Sequence, residues 1–252
     1  MKLGVPGVDR IIKIFPTPLE LAEAFALDLI NHIRETEKSH KPVTIAISGG
    51  STPVMLFSVL AGKFATPVFW KDVHFFWVDE RCVPPDDPDS NYGMSCRYLL
   101  DKIDIPDTNI HRIRGEEDPE TEAARYSEEI IRYTRSLNNL PVFDHIILGM
   151  GEDGHTASIF PGNQELLYSE KVYDAAIHPV SGRKRITITG KVINNADYIT
   201  FLITGQSKAW IIEQIIKKKA KFPASFIIPG HGRITWLLDE KAGEFIKRQS
   251  IC

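Results

Sequence analysis

Val43-Thr44-Ile45-Ala46-Ile47-Ser48-Gly49-Gly50-Ser51-Thr52-Pro53-Val54-Met55-Leu56-Phe57-Ser58-Val59-Leu60 is the stretch that decides the fold. Its first five residues are short, apolar and rich in β-branched side chains, which suits a buried strand. A glycine-rich turn follows, and then an apolar stretch of helical character. Strand, tight turn and helix together form the first half of a βαβ unit. Upstream, Thr17-Pro18-Leu19-Glu20 carries a capping box with proline at the first helical position. Leu19, Ala22, Ala26, Leu29, Ile30 and Ile33 then recur at helical spacing, predicting about five turns whose polar face runs out through 35–41.

Downstream, the apolar runs 73–78, 144–148, 172–177, 185–189, 198–203 and 235–238 read as strands. Residues 92–100, 118–137, 208–218 and 240–249 read as helices. Val43 is taken as the start of the first strand, with one helix before it. Near-continuous apolar strands alternating with amphipathic helices require a sheet covered on both faces. The expected fold is α/β, a single doubly wound, mostly parallel, Rossmann-like sheet with helices on both faces. No linker interrupts it, so residues 1–252 are expected to form one domain.

Composition narrows the function. Of the 252 residues 43% are hydrophobic and 25% charged, with a net charge of −3. That balance offers no electrostatic footprint for nucleic acid or for an anionic membrane surface. No apolar run approaches the roughly 20 residues that span a bilayer. The opening residues Met1 to Gly7 lack a secretory signal's apolar stretch, so a cytoplasmic protein is expected. The three cysteines, Cys82, Cys96 and Cys252, form no CxxC pair, which disfavours a disulfide framework or a structural zinc site. Cys82 is taken as a free thiol.

In a sheet of this kind ligands bind beyond the carboxyl ends of the strands. Three strands here end in unusual chemistry. Ser48 to Thr52 places two glycines and three hydroxyls between strand and helix, either as a phosphate cradle or as a tight turn with a Ser/Thr cap. It is not a Walker loop, because the Gly-Lys-Ser/Thr ending is missing. Asp79-Glu80-Arg81 is either a surface salt-bridge cluster or a site where the Arg81 fork holds an oxyanion. Gly149-Met150-Gly151-Glu152-Asp153-Gly154-His155 sets a histidine among glycines, with a carboxylate two residues back. Histidine suits general-base work near neutrality, a carboxylate can fix its tautomer, and glycine N–H groups could stabilise an oxyanion. The spacing of a metalloprotease or of a serine esterase elbow is absent. Arg183, Lys184, Arg185, Lys191 and Lys208 are further candidates for phosphate, Lys208 the best placed after a glycine turn. Among the other histidines, His74 and His145 read as structural, while His178 and His231 lie in loops able to approach the site.

Several segments together resemble the 6-phosphogluconolactonase family: 47–53, 77–84, Ser90-Asn91 and 148–162, with weaker matches at 185–189, 204–209 and 236–239. The block Gly151-Glu152-Asp153-Gly154-His155-Thr156-Ala157-Ser158 is the most specific. The Ser-Gly-Gly loop is shared with the glucosamine-6-phosphate deaminases. That branch resembles Asp-Glu-Tyr and Asn-Gly-His where this chain has Asp79-Glu80-Arg81 and Asp153-Gly154-His155. A non-catalytic sugar-phosphate sensor should carry a helix-turn-helix and a basic face, and neither is visible.

The resemblance implies hydrolysis of 6-phospho-D-glucono-1,5-lactone in the oxidative pentose phosphate pathway, with no metal and no organic cofactor. It implies His155 as the base that activates water and Asp153 as its orienting partner. It implies a substrate-binding set of Ser48, Gly49, Gly50, Ser51, Thr52, Asp79, Arg81, Gly151, Arg185 and Lys208. The partner would be a small phosphosugar lactone, and the chain a monomer or weak homo-oligomer.

Overall fold

The computed structural model describes residues 2–5, 8–37, 42–65 and 68–247. β1 (Lys2–Val5) and β2 (Val8–Phe15) precede α1 (Pro18–Glu37). Next come β3 (Val43–Ile47), α2 (Ser51–Phe64), β4 (Val73–Trp77), β5 (Asp79–Arg81) and α3 (Asn91–Tyr98). The middle of the chain holds β6 (Ile110–His111), α4 (Pro119–Tyr133), β7 (Arg135–Leu137), β8 (Leu140–Val142) and β9 (His145–Leu148). It closes through β10 (Tyr173–Ile177), β11 (Lys184–Ile188), α5 (Gly190–Ile193), β12 (Tyr198–Ile203), α6 (Ala209–Ile216), β13 (Arg233–Asp239) and α7 (Glu244–Lys247).

The main sheet runs in the order β1-β2-β13-β12-β9-β3-β4-β6. Every neighbouring pair in it is parallel except β1 with β2. This is the mostly parallel, helix-flanked α/β sheet expected from the sequence. From β3 the chain winds outward to β4 and β6, then crosses back to β9 and winds the other way to β12 and β13. The reversal opens a crevice beyond the carboxyl ends of β3 and β9, where ligands bind in such sheets. All five residues of β3 are buried, as both faces of a central strand must be. Trp70, Trp77, Trp236, Phe75, Phe76 and Phe201 fill the core around it. Each apolar side chain so buried is worth about 1.5–3 kcal/mol of transfer free energy.

Half of the capping box forms: Thr17 Oγ1 accepts from the Glu20 backbone N–H at 3.2 Å, while the Glu20 carboxylate accepts from the Thr17 hydroxyl at 3.1 Å. Residues 38–41, part of the expected polar tail of α1, lie outside the described residues, as does Cys252.

The structure corrects four expectations. Val43 does not begin the first strand, because β2 precedes α1 and pairs in parallel with β13. The charges Asp9, Arg10 and Lys13 had hidden it. The runs at 172–177 and 185–189 do not join the main sheet. They form β10 and β11 of a separate antiparallel sheet, whose third strand is β5. The helix expected over 118–137 stops at Tyr133, and β7 and β8 form a hairpin instead. Asn138 (φ 54°) and Asn139 (φ 63°) take the two left-handed positions of its turn, the arrangement that Asn favours in two-residue hairpins. The helix expected over 240–249 is described only as α7, preceded by a turn, and 248–249 lie outside the described residues.

Candidate active site

The crevice beyond β3 and β9 holds a cleft of about 280 Å³. Three loops build it. The first follows β3, the second is β5 with the segment leading to α3, and the third runs from Gly149 to His155. The turn before α6 adds Thr204 and Lys208.

In the first loop Gly50 is the N-cap of α2, at φ 108°, and no side chain caps the helix. The cap reading is thus set aside, and the first-turn N–H groups have no side-chain acceptor, the electrostatic setting an anion favours. Ser48 does not cap either. Its hydroxyl donates to the Ile147 carbonyl at 2.7 Å, tying the ends of β3 and β9 together. Thr52 Oγ1 lies 2.7 Å from Thr204 Oγ1, linking this loop to the turn before α6.

Asp79-Glu80-Arg81 is neither a surface cluster nor a loop. Asp79 and Glu80 are buried, and their carboxylates are fully engaged. Asp79 accepts from Ser158 Oγ at 2.6 Å, and Asn91 Nδ2 donates to the Asp79 carbonyl at 2.8 Å. Glu80 accepts from the backbone N–H groups of Arg81, Asn91 and Tyr92 at 2.7, 2.8 and 2.8 Å. Ser90 caps α3 by accepting from Gly93 N–H at 3.0 Å. This web turns the guanidinium of Arg81 to the cleft, where it also donates to the Asp89 carbonyl. Asp79 is therefore chiefly a brace that borders the cleft.

The third loop carries the histidine. Nδ1 of His155 lies 2.6 Å from Asp153 Oδ1, and the His155 backbone N–H donates to the same oxygen at 3.2 Å. Burial would raise the Asp153 pKa. The hydrogen bond and charge of His155 and the backbone N–H groups outweigh that and hold it below the ordinary carboxylate range. An ionised Asp153 makes Nδ1 the protonated ring nitrogen, so Nε2 keeps a free lone pair. Two of the loop's N–H groups are spent inside it, Gly151 to His155 O at 2.9 Å and Gly154 to Gly151 O at 3.1 Å. Those two cannot serve an oxyanion, which corrects the expectation for them. The glycine at 151 gives space instead: a Cβ there would stand 2.1 Å from His155 Nδ1 and 2.5 Å from Asp153 Oδ1.

Ser48, Gly49, Gly50, Ser51, Thr52, Asp79, Arg81, Gly151, His155 and Lys208 all line the cleft. Asp153 stands behind His155. Arg185 faces Arg81 across the β11–β5 pair, and its Nε and one terminal nitrogen are buried with no hydrogen-bond partner among the described residues. Burial, and then the charge of Arg81, lower the Arg185 pKa. Burial also lowers that of Lys208, against the pull of Glu152 and Asp153. Arg185 and Lys208 thus bring cationic groups to the site region that carry no ion pair among the described residues. Cys82 is unsuited to nucleophilic work, because burial pushes its thiol up to about 11. His231 lies toward the other end of β12, 3.6 Å from Asp197.

Residues that the sequence reading assigned no role are Ser158 on Asp79, Asp239, and Phe160. Asp239 accepts from Gly205 N–H at 3.0 Å and so shapes the turn that carries Lys208. Phe160 lies against His155, ring centroids 4.8 Å apart. Ser158 and Phe160 sit within the matching segment 148–162, so their position was visible although their contacts were not.

The profile of the family described as glucosamine-6-phosphate isomerases/6-phosphogluconolactonase matches residues 16–236. A 6-phosphogluconolactonase of Haemophilus influenzae is 44% identical over 232 residues, covering 90% of this chain and 96% of the relative. One from Treponema pallidum is 39% identical over 227 residues, covering 90% and 91%. The solved 6-phosphogluconolactonase of Trypanosoma brucei superposes with a TM-score of 0.84 at 29% identity, covering 94% of this chain and 98% of its own. A monomeric glucosamine-6-phosphate deaminase shares the fold, with a TM-score of 0.76 at 20% identity over 93% of this chain and 99% of its own. Among the described residues no helix is long and apolar enough to cross a membrane.

Proposed function

The chain belongs to the glucosamine-6-phosphate isomerase/6-phosphogluconolactonase family, and we propose that it hydrolyses 6-phospho-D-glucono-1,5-lactone to 6-phosphogluconate, a cytoplasmic step of the oxidative pentose phosphate pathway. The observation that carries this reading is the His155–Asp153 pair opening on a cleft beside Arg81 and Lys208. The same cleft thus brings together a base and cationic side chains suited to a phosphate.

The steps balance with water as the only co-reactant. His155 Nε2 accepts a proton from water, and the oxygen forms a bond to the lactone carbonyl carbon. Asp153 stabilises the resulting imidazolium and holds its ring in place. When the tetrahedral intermediate collapses, the bond from that carbon to the ring oxygen breaks, and the imidazolium returns the proton to that oxygen. Arg81, Lys208, Arg185 and the uncapped first turn of α2 hold the phosphate and hydroxyls, so the lactone is oriented before water attacks. Arg suits the phosphate because its planar fork can bind two oxygens at once.

A coupled assay tests this reading. Lactone generated freshly by glucose-6-phosphate oxidation is supplied, and 6-phosphogluconate release above the spontaneous rate is measured. Ammonia release from glucosamine-6-phosphate is followed in parallel. Lactone turnover without ammonia is expected. Ammonia release without lactone turnover would place the chain on the deaminase branch and overturn the proposal.

A further inference from the structure

Among the described residues a single hydrogen bond anchors the His155 ring, at Nδ1. The Asp153 bond fixes Nδ1, yet the side chain is 31% exposed and free to swing about that bond unless something meets the ring itself. Phe160 meets it. Phe160 is only 3% exposed, so its ring is held in place. It also meets the His178 ring, with centroids 4.9 Å apart at 71°.

His178 is itself well placed for that task. It begins the tip between β10 and β11, and its Nδ1 accepts from the backbone N–H groups of Val180 at 3.3 Å and Ser181 at 3.1 Å. Two donors on Nδ1 leave the proton on Nε2, so the ring is neutral and its orientation set. The backbone closes the same tip: His178 N–H donates to Arg183 O and Gly182 N–H to His178 O, both at 2.9 Å. Arg183 pairs with the Asp89 carboxylate, and Arg81 donates to the Asp89 carbonyl. The tip is thereby tied to the loop that carries Arg81. The charged groups facing His178 are Arg185 on β11, Arg81 on β5, and His155 and Asp153 in the histidine loop. Partial burial, then the charges of Arg185 and His155, lower its pKa, so it stays neutral while His155 cycles.

The geometry points to His178 as a positioning residue for the catalytic base: acting through Phe160, its neutral ring holds the His155 imidazole in the plane that aims Nε2 into the cleft. His178 touches no reacting atom in this scheme. It rests on the lactonase reading, but the ring restraint exists whether or not that reading holds.

The test compares full-length wild type with His178→Ala and His178→Phe, each checked for an unchanged thermal transition. Phe keeps a neutral ring against Phe160 and lacks the imidazole nitrogens. His178→Ala should lower kcat about 10-fold with KM within about 2-fold, since a loosened base loses alignment rather than substrate affinity. His178→Phe should restore kcat to within about 2-fold of wild type, the smallest change such a comparison resolves. The His155 Nδ1–H resonance, read by NMR without substrate, should be sharp in wild type and in His178→Phe and broadened in His178→Ala. Normal kcat in His178→Ala, equal impairment of both variants, or a lost kcat with an unbroadened resonance would each overturn the proposal. Wild type without lactonase activity would instead sink the functional reading, and the resonance would still decide the brace.

Discussion

Strand β9 begins with one histidine and the loop that follows it ends in another, and the two have opposite fates. His145 is 6% exposed, and its Nε2 lies 2.9 Å from Thr200 Oγ1. Its Nδ1 is buried without a hydrogen-bond partner among the described residues. Burial first, then the nearby charge of His32, push its pKa down to about 3. No carboxylate among the described residues meets either nitrogen, so the ring remains neutral and packs against Phe25 at 5.5 Å. His155 has an ionised Asp153 on one nitrogen and lines an open cleft. The side chain is the same; the partner and the access differ. A carboxylate on the far nitrogen, with room at the near one, turns imidazole into a base.

The sharpest way to break this comparison is to remove the base. His155→Ala should lower lactone turnover by about 10² or more, with little change in thermal stability. Near-normal kcat would equate the two histidines and end the proposed mechanism. Gly151→Ala attacks the same pair without removing either member. Its Cβ would displace an imidazole that must stay placed, so kcat should fall by up to about 10² while the fold persists. An unchanged kcat would mean that the Asp153 contact is dispensable.

Arg81→Ala probes the substrate end. Loss of a charge-assisted contact should raise KM for the phosphorylated lactone about 10-fold or more, and for unphosphorylated gluconolactone far less. Equal losses for both lactones would remove the phosphate role. The last test, with the smallest effect on activity, concerns His145 and is one of stability. Its folded-state pKa is about 3, so between about 6.5, the unfolded value, and 3 the unfolded chain binds the extra proton. Its contribution is therefore complete above that window and is lost as pH falls through it, by up to about 1.4 kcal/mol per pH unit. Urea titrations at several pH values should show this component in wild type and not in His145→Leu, with kcat at pH 7 nearly the same in both. A wild-type and variant difference that does not vary with pH would show that His145 is not buried as described.

Much of the fold was legible because central parallel strands are buried on both faces and so read as continuous apolar runs. β3, β4, β9 and β12 declared themselves this way. β2 did not, because Asp9, Arg10 and Lys13 interrupt it. Its Arg10 finds the Trp236 ring at 4.8 Å, a contact no local pattern announces. β5 did not either: Asp79-Glu80-Arg81 has the composition of a loop, and donors from Ser158, Ser90, Asn91 and the backbone of Arg81 and Tyr92 make burying two carboxylates tolerable. The β7–β8 turn was readable in hindsight from Asn138-Asn139, yet the helical pattern before it concealed the break.

At the candidate site, the strand-end motifs pointed to the right crevice because ligand sites in wound sheets follow from topology. The local sequence alone set the glycine turn of 48–52, the two-residue spacing that lets Asp153 reach His155, and the order of strands and helices. Those depend on neighbours along the chain, where backbone conformation and short side chains suffice. Tertiary structure decided which loops meet. It set Arg185 across from Arg81 by the antiparallel register of β11 with β5. It made a brace of Asp79, and it left the histidine of β9 dry and the one in the next loop lining a cleft. Register, burial and solvent access arise from contacts between residues far apart in sequence, and no periodicity along the chain encodes them.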